Sequence, residues 1–315
     1  MKAKLKKILI IGAGKIAVEY LKVLKRSNKI KIVGILSRTK ISSKKLASRF
    51  NIPNHGNSLE FMMQKLDPEL VIVCVSASET FKICKELFKY KCTSLIEKPI
   101  ALSLKDSISL NKLSSKYKHK FFVALNRRFF SSTEKLKKKL SKIIDKRIVT
   151  VFDQENTLNA KKSGHGLKVI KNWMFANSIH LIDYFNIFCR GNYINVKKKK
   201  FSLGQNQSVL ISTILYDSGD IGIYHAYWNR PAPWKVTISC SNNFYILSPI
   251  EKLIERNDKG IQNTYNLSSF DKKFKPGFYS MTNEFINAYN KRKNRLVSKE
   301  TNLKTMKLIH KIYKK

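Results

Sequence analysis

The stretch from Lys6 to Arg38 constrains the fold of this chain more than any other. Lys7-Ile8-Leu9-Ile10-Ile11 reads as a buried strand, and Gly12-Ala13-Gly14-Lys15-Ile16-Ala17 follows it directly. An amphipathic segment then runs to about Arg26, with Ile16, Tyr20, Val23 and Leu24 on one side, and a second strand is expected over 30–37. Strand, glycine turn, helix and strand in that order form the opening βαβ of a dinucleotide-binding fold. Gly12 lets the chain turn tightly out of the strand, Gly14 lets backbone approach a pyrophosphate, and Ala17 lets the helix lie close on the sheet. The phosphates then sit on free N–H groups at the helix start, around Lys15 and Ile16, where the macrodipole favours negative charge. The bland alternative is a glycine turn that serves only helix–strand packing; the flanking apolar strand and amphipathic helix favour the nucleotide.

Strand and helix continue to alternate to about residue 125. Helices are expected over 42–50, 58–66, 79–89 and 104–117, and strands over 70–75, 94–96 and 121–125. That alternation predicts an open, mostly parallel, doubly wound sheet. The rhythm changes near Asn126. A basic helix over 132–143 precedes a strand over 147–153, a polar loop over 156–168 and a helix over about 173–188. Strands then dominate, over 195–202, 209–216, 221–228, 235–240 and 244–247, with Asp217-Ser218-Gly219-Asp220 as a hairpin turn. Helices return over 281–290 and 301–313. The expected architecture is an N-terminal Rossmann domain over 1–123 and a C-terminal α+β domain over 124–315, whose mostly antiparallel sheet leaves one face free for a homodimer or homotetramer partner.

With 62 lysines and arginines against 21 acids, the formal charge is +41, which invites a nucleic-acid reading. Two features weigh against it. Only 11 of the cations are arginine, the residue that base readout and bidentate phosphate contacts favour, and the lysines are spread over every segment. The reading adopted is a solvated lysine-rich surface that attracts anionic substrates and cofactors. Five cysteines, Cys74, Cys84, Cys92, Cys189 and Cys240, form no close pair, and the six histidines show no metal-ligand spacing, so no metal is expected. No apolar run reaches the roughly 18 residues that span a bilayer. The lysines before the first strand imitate a secretory signal, but the apolar run stops at the glycines without a cleavage site. These features lead to the expectation of a cytoplasmic protein with reduced thiols and no membrane association.

Glu97-Lys98-Pro99 stands at the carboxyl end of a sheet strand, on the edge where open α/β sheets bind ligands. A lysine there can stabilise the alkoxide that forms as hydride leaves an alcohol, although a surface turn is an even alternative in so lysine-rich a chain. His180 and Asp183 share a face of the helix that opens the second domain's core. A lone histidine on a helix is usually a packing residue, but an imidazole also exchanges a hydroxyl proton near neutral pH.

Gly12-Ala13-Gly14-Lys15-Ile16-Ala17, Glu97-Lys98-Pro99, Asn126-Arg127-Arg128-Phe129 and His180-Leu181-Ile182-Asp183, in that order and on that domain plan, resemble the Gfo/Idh/MocA oxidoreductase family. Lys275-Pro276-Gly277-Phe278-Tyr279 resembles that family's closing segment, so the likeness covers nearly the whole chain. The resemblance implies hydride transfer between NADP or NAD and a hydroxyl or ketone of a sugar, sugar nucleotide or cyclitol. It implies Lys98 and His180 as the catalytic residues flanking the substrate, Ser76 and Glu97 as further cofactor contacts, and Asn126, Arg128, Asn177 and Asp183 along the substrate cleft. One departure matters. Many sugar and inositol dehydrogenases of the family carry an Asp four residues before the catalytic His, where this chain has Ala176. A carboxylate there would orient and charge-balance the imidazole. Its absence points to a different relay, to work mainly as a reductase, or to a catalytically silent, cofactor-sensing regulator.

Cofactor choice is read at the end of the second strand. An NAD-selective Rossmann domain places an acid there to accept hydrogen bonds from the adenosine ribose. This chain has Ser37-Arg38-Thr39-Lys40 instead, with no acid between Glu19 and Glu60. Arg38 can pair with a 2′-phosphate and Ser37 and Thr39 can donate hydroxyl hydrogen bonds to it, so NADP is the favoured cofactor.

Overall fold

A computed structural model describes residues 5–289 and 294–313. It comprises two compact units, one of residues up to Asn126 together with Lys273–Leu303, the other of Arg127–Lys272 together with the chain from Lys304 onward.

The first unit begins β1 (Lys6–Ile11), α1 (Lys15–Leu24), β2 (Ile30–Leu36), α2 (Lys40–Arg49), β3 (His55–Gly56), α3 (Leu59–Leu66) and β4 (Leu70–Val73). It continues through α4 (Ala77–Leu87), β5 (Thr93–Glu97), α5 (Leu104–Lys116) and β6 (Lys120–Ala124). The six strands lie parallel in the order β3-β2-β1-β4-β5-β6. Strand order reverses between β1 and β4, and open sheets of this kind bind ligands at that reversal, beyond the carboxyl ends of the strands. Ile8, Leu9 and Ile10 of β1 and every residue of β4 are fully buried, as strands covered by helices on both faces require. Helix starts are set by caps: the hydroxyls of Thr39, Ser58 and Ser103 accept the backbone N–H groups of Ser42, Phe61 and Asp106.

After a 3₁₀ turn, Asn126–Phe129, come α6 (Ser131–Leu140), β7 (Ile148–Glu155), α7 (Thr157–Lys162), α8 (Leu167–Lys171), a π-helical turn (Met174–Ser178) and α9 (Ile179–Phe188). The strands β8 (Tyr193–Ser202), β9 (Ser208–Tyr216), β10 (Ile221–Trp228), β11 (Lys235–Cys240), β12 (Asn243–Leu247), β13 (Leu253–Asn257) and β14 (Gln262–Tyr265) precede α10 (Ser269–Lys273). They form one sheet, β14-β13-β12-β11-β7-β10-β9-β8, antiparallel except where β7 and β10 run parallel. α9 packs on β7, and α6 packs on α9, β12 and β13. Residues of β9 and β10 alternate between buried and half-buried, which is the pattern of a sheet covered on one face.

Several elements differ from the sequence reading. The strand expected over 147–153 runs on to Glu155, and the loop expected over 156–168 holds α7 and the start of α8. The helix expected to begin near 173 opens with the π-helical turn, and β13 and β14 are additional strands. The last stretch holds α11 (Phe278–Ala288), β15 (Val297–Ser298) and α12 (Lys299–Tyr313); Asn290, expected to end a helix, lies outside the described residues. β15 pairs antiparallel with β6, Val297 opposite Val123 and Ser298 opposite Phe122. α11 packs along α1, with the Tyr20 and Phe278 rings 4.9 Å apart. Residues 273–303 therefore return to the first unit, and the expected single span 124–315 is not contiguous. The physical reason is that β6 would otherwise present a bare hydrogen-bonding edge.

Candidate functional site

A cavity of about 660 Å³ opens at the strand-order reversal of the first unit. Gly12, Gly14, Ser37, Arg38, Thr39 and Ser76 all line it, so six of the ten expected cofactor contacts are brought together. The two glycines serve different masters. Gly12 has φ +121°, and a Cβ there would lie 2.4 Å from the Cys74 carbonyl oxygen, so the protein itself demands glycine. A Cβ on Gly14 would meet nothing within 4 Å; the space in front of it is where a pyrophosphate can approach. Gly14 is the N-cap of α1 and supplies no side-chain cap, which leaves the first N–H groups of that helix for an anion. Lys15 is exposed and Ile16 half-buried at that helix start, whereas Ala17 is fully buried against the sheet, its expected packing role.

Beyond β2 the hydroxyls are arranged differently from the sequence reading. The Ser37 hydroxyl donates to the Thr39 carbonyl at 2.7 Å. Thr39 Oγ1 accepts the Ser42 N–H at 3.3 Å and donates to Ser42 Oγ at 2.8 Å. Both expected donors are thus engaged, and the hydroxyl proton left over belongs to Ser42, which lines the same cavity. Arg38 is exposed, and among the described residues no carboxylate pairs with it. The cavity lining carries Arg38 and Lys82 against the single acid Glu79, an excess of positive charge that suits a dinucleotide phosphate.

Glu97 and Lys98 follow at the end of β5, ahead of a cis Lys98–Pro99 bond. The Tyr20 hydroxyl donates to Glu97 Oε1 at 2.6 Å, tying the strand end to α1. Burial pushes the Glu97 carboxyl up, opposed by that hydrogen bond and by the Lys98 and Lys275 charges. Asn126 is buried and donates to the Pro276 carbonyl at 3.0 Å, anchoring the returning segment.

In the second unit, His180 occupies the second position of α9, half-buried, and Ala176 lies buried in the π-helical turn before it. Asp183, fully inward on the same helix, takes both Nε and Nη2 of Arg128 at 2.6 and 2.7 Å and the Thr305 hydroxyl at 3.0 Å. Asn177 donates to Glu155 at 2.9 Å. The four residues expected along the substrate cleft therefore all have internal partners. Arg127 was passed over in favour of its neighbour. Its guanidinium lies 4.9 Å from the Trp234 ring centre, and its Nη1 is buried with no hydrogen-bond partner. Glu155 was missed as well, although the period of two that buries Val149, Val151 and Asp153 carries it to the same face. Among the described residues no cluster of His, Cys, Asp and Glu fits a metal ion, and no helix is long and apolar enough to cross a membrane.

A parallel sheet in this order with a glycine-turned cavity at its reversal defines a dinucleotide-binding Rossmann domain. Residues 6–125 match the model of an oxidoreductase family with an NAD-binding Rossmann fold, GFO_IDH_MocA. Over these residues the chain carries the NAD-binding Rossmann domain that the model describes, and the cofactor is NAD or NADP. No curated protein matches the sequence. Among solved structures, a dehydrogenase from Chromobacterium violaceum is 15% identical with a TM-score of 0.86, covering 99% of this chain and 95% of its own. A UDP-N-acetylglucosamine 3-dehydrogenase from Acidithiobacillus ferrooxidans is 10% identical with a TM-score of 0.77, over 98% and 97% of the two chains. An oxidoreductase from Agrobacterium radiobacter, in complex with NAD+, L-tartaric acid and magnesium, is 14% identical with a TM-score of 0.79, over 98% and 96%. At these identities the likeness is one of fold, and it extends over both units.

Proposed function

We propose that this protein transfers hydride between NADP(H), in preference to NAD(H), and a hydroxyl or keto carbon of a sugar, sugar nucleotide or cyclitol. The observation that carries the reading is the first unit's cavity: glycine turn, uncapped helix start and an unpaired arginine in place of an acid after β2. The bound nicotinamide supplies the hydride acceptor or donor. Lys98 holds the substrate oxygen and stabilises negative charge as it develops, and His180 takes or returns the hydroxyl proton. A sugar-nucleotide substrate is in keeping with the Acidithiobacillus neighbour and with a net charge of +41, which attracts anions. The half-buried row Thr150, Phe152, Ile211, Ile223 and His225 on the open face of the second sheet supports a homodimer, with Phe152 and His225 stacked at 5.0 Å. Free, largely buried thiols fit a cytoplasmic setting.

Turnover on a panel of sugar nucleotides, sugars and cyclitols with both reduced and oxidised cofactors tests the reading. Lys98→Ala is expected to lower turnover by roughly 100-fold or more with dinucleotide affinity unchanged, and His180→Asn to flatten the pH dependence in the neutral range. Near-normal turnover in Lys98→Ala removes that residue from the mechanism. Ala176 favours a second reading, a silent cofactor sensor; tight cofactor binding without turnover on any panel member would establish it.

A further inference from the structure

Two acids that the proposed chemistry does not use lie at the end of β7. Asp153 and Glu155 are both fully buried and, two residues apart on the strand, point to the same side of the sheet. Burial pushes both carboxyls up, and the neighbouring Asp153 charge pushes Glu155 up further while the hydrogen bond from Glu155 lowers Asp153, so the pair keeps a proton that two exposed acids would have lost. Three donors converge on Glu155. Trp173 Nε1 and Asn177 Nδ2 reach Oε2 at 2.5 and 2.9 Å, and the Ser178 hydroxyl reaches Oε1 at 2.6 Å. Behind it the Tyr224 hydroxyl donates to Asp153 Oδ2 at 2.6 Å and lies 2.9 Å from the Tyr313 hydroxyl, with Arg127 as the cation that acts on Asp153.

The donors bracket one feature. Trp173 immediately precedes the π-helical turn Met174–Ser178, Asn177 and Ser178 end it, and His180 stands two residues further on. A π-turn has poorer geometry than an α-turn and persists where surroundings impose it. Its relaxation to α-helix changes the register with α9 by one residue, a rotation of about 100°. β7 thus delivers to this turn a carboxyl group that the turn itself lacks at position 176.

We infer that Glu155, backed by Asp153, is a positioning residue for His180, performing from a neighbouring strand the orienting task of the acid that Ala176 replaces. The inference rests on the assignment of His180 in the proposed function. Glu155→Gln keeps the side chain's shape but substitutes a donor for one acceptor, so at least one of the three donors loses its partner. The expected result is a loss of kcat of about 10- to 100-fold, with the dinucleotide Kd and the substrate KM held and the neutral limb of the pH profile displaced. Adding Ala176→Asp to Glu155→Gln restores part of the rate, which a role confined to stability does not foresee.

A second readout needs no substrate. In protein labelled with 13C at histidine Cε1, the His180 line, identified by its loss in His180→Asn, moves in Glu155→Gln while dinucleotide affinity is unchanged. An unmoved His180 line in a folded variant overturns the inference, as does a loss of rate that Ala176→Asp leaves untouched. A moved line in a protein that turns over no panel substrate upholds the positioning role and refutes the hydride-transfer reading alone. Should Glu155→Gln fail to fold, the double variant Asn177→Ala, Ser178→Ala removes donors instead of the acid; a moved His180 line there upholds the positioning role and an unmoved one overturns it.

Discussion

Cofactor selection offers the sharpest test of the first unit. Arg38 follows β2 on an exposed turn, lines the cavity, and has no carboxylate partner among the described residues. A guanidinium on a phosphate forms charge-assisted hydrogen bonds of about 1.5–3 kcal/mol when shielded from water. Solvent at Arg38 screens the pair, so about 2 kcal/mol is the working value, equivalent to about 30-fold in affinity. Ser37 and Thr39 add little, since both hydroxyls donate within the turn. Ser42 contributes the remaining hydroxyl, and a single neutral hydrogen bond there is worth about 1 kcal/mol. Fluorescence titration with NADPH and NADH at low and high salt reads the effect. Arg38→Ala is expected to weaken NADPH by about 30-fold and NADH by less than about threefold, with the NADPH term shrinking as salt rises. Equal or tighter NADH binding by the unmodified protein, or equal weakening of both cofactors in the variant, would refute the reasoning.

The two glycines of the turn are predicted to separate stability from binding. Gly12→Ala forces a Cβ against the Cys74 carbonyl at a positive φ and should cost about 3 kcal/mol in urea melts. Gly14→Ala, at φ −86° with open space ahead, should leave the melt within about 1 kcal/mol of the parent yet weaken the dinucleotide by about tenfold. Buried His119 bonds Ser94 and the Tyr90 carbonyl, and burial holds its pKa down at about 4. The unfolded chain takes that proton near the ordinary value of 6.5, so stability is full above that pH and falls by about 3 kcal/mol as pH drops from 6.5 to 4; His119→Gln should flatten that limb of a stability–pH curve. Asp220, fully buried at the β9–β10 turn, accepts Arg190 Nε and Nη2 and the Arg147 and Arg190 backbone N–H groups. Asp220→Asn should cost about 2–3 kcal/mol, and a cost below about 1 kcal/mol would show the cluster to be surface-like.

The Rossmann half was legible because its strands are buried on both faces and α2, α3 and α5 start at hydroxyl caps, both of which leave marks in residue type. Its cavity was legible for the same reason: glycines and the missing acid are written in the chain itself. Strands at and next to a sheet edge leave weaker marks. Leu253-Ile254-Glu255-Arg256-Asn257 and Gln262-Asn263-Thr264-Tyr265 are too polar for a strand pattern; the first is held by pairing onto β12 and the second by pairing onto β13. The π-helical turn has no residue signature, being a matter of hydrogen-bond register and of what Glu155 imposes from β7. Nor do motif residues reveal whether their polar groups are spent. Arg128 and Asp183 both suit a ligand by type, yet each neutralises the other in a bidentate pair.

The return of residues 273–303 to the first unit has a consequence for synthesis. The chain passes from one unit to the other three times, so neither unit is a continuous stretch that leaves the ribosome whole. When Asn126 emerges, six parallel strands can assemble, but β6 still lacks β15 and α1 still lacks α11. That intermediate carries an open edge and an uncovered apolar helix face for as long as some 150 further residues take to be made, about 10–30 s at ordinary elongation rates. A chain cut after Asn126 would be caught in the same state, prone to pair edge to edge with another copy. Fusing α11 and β15 to such a fragment through a short linker should rescue a soluble, dinucleotide-binding protein.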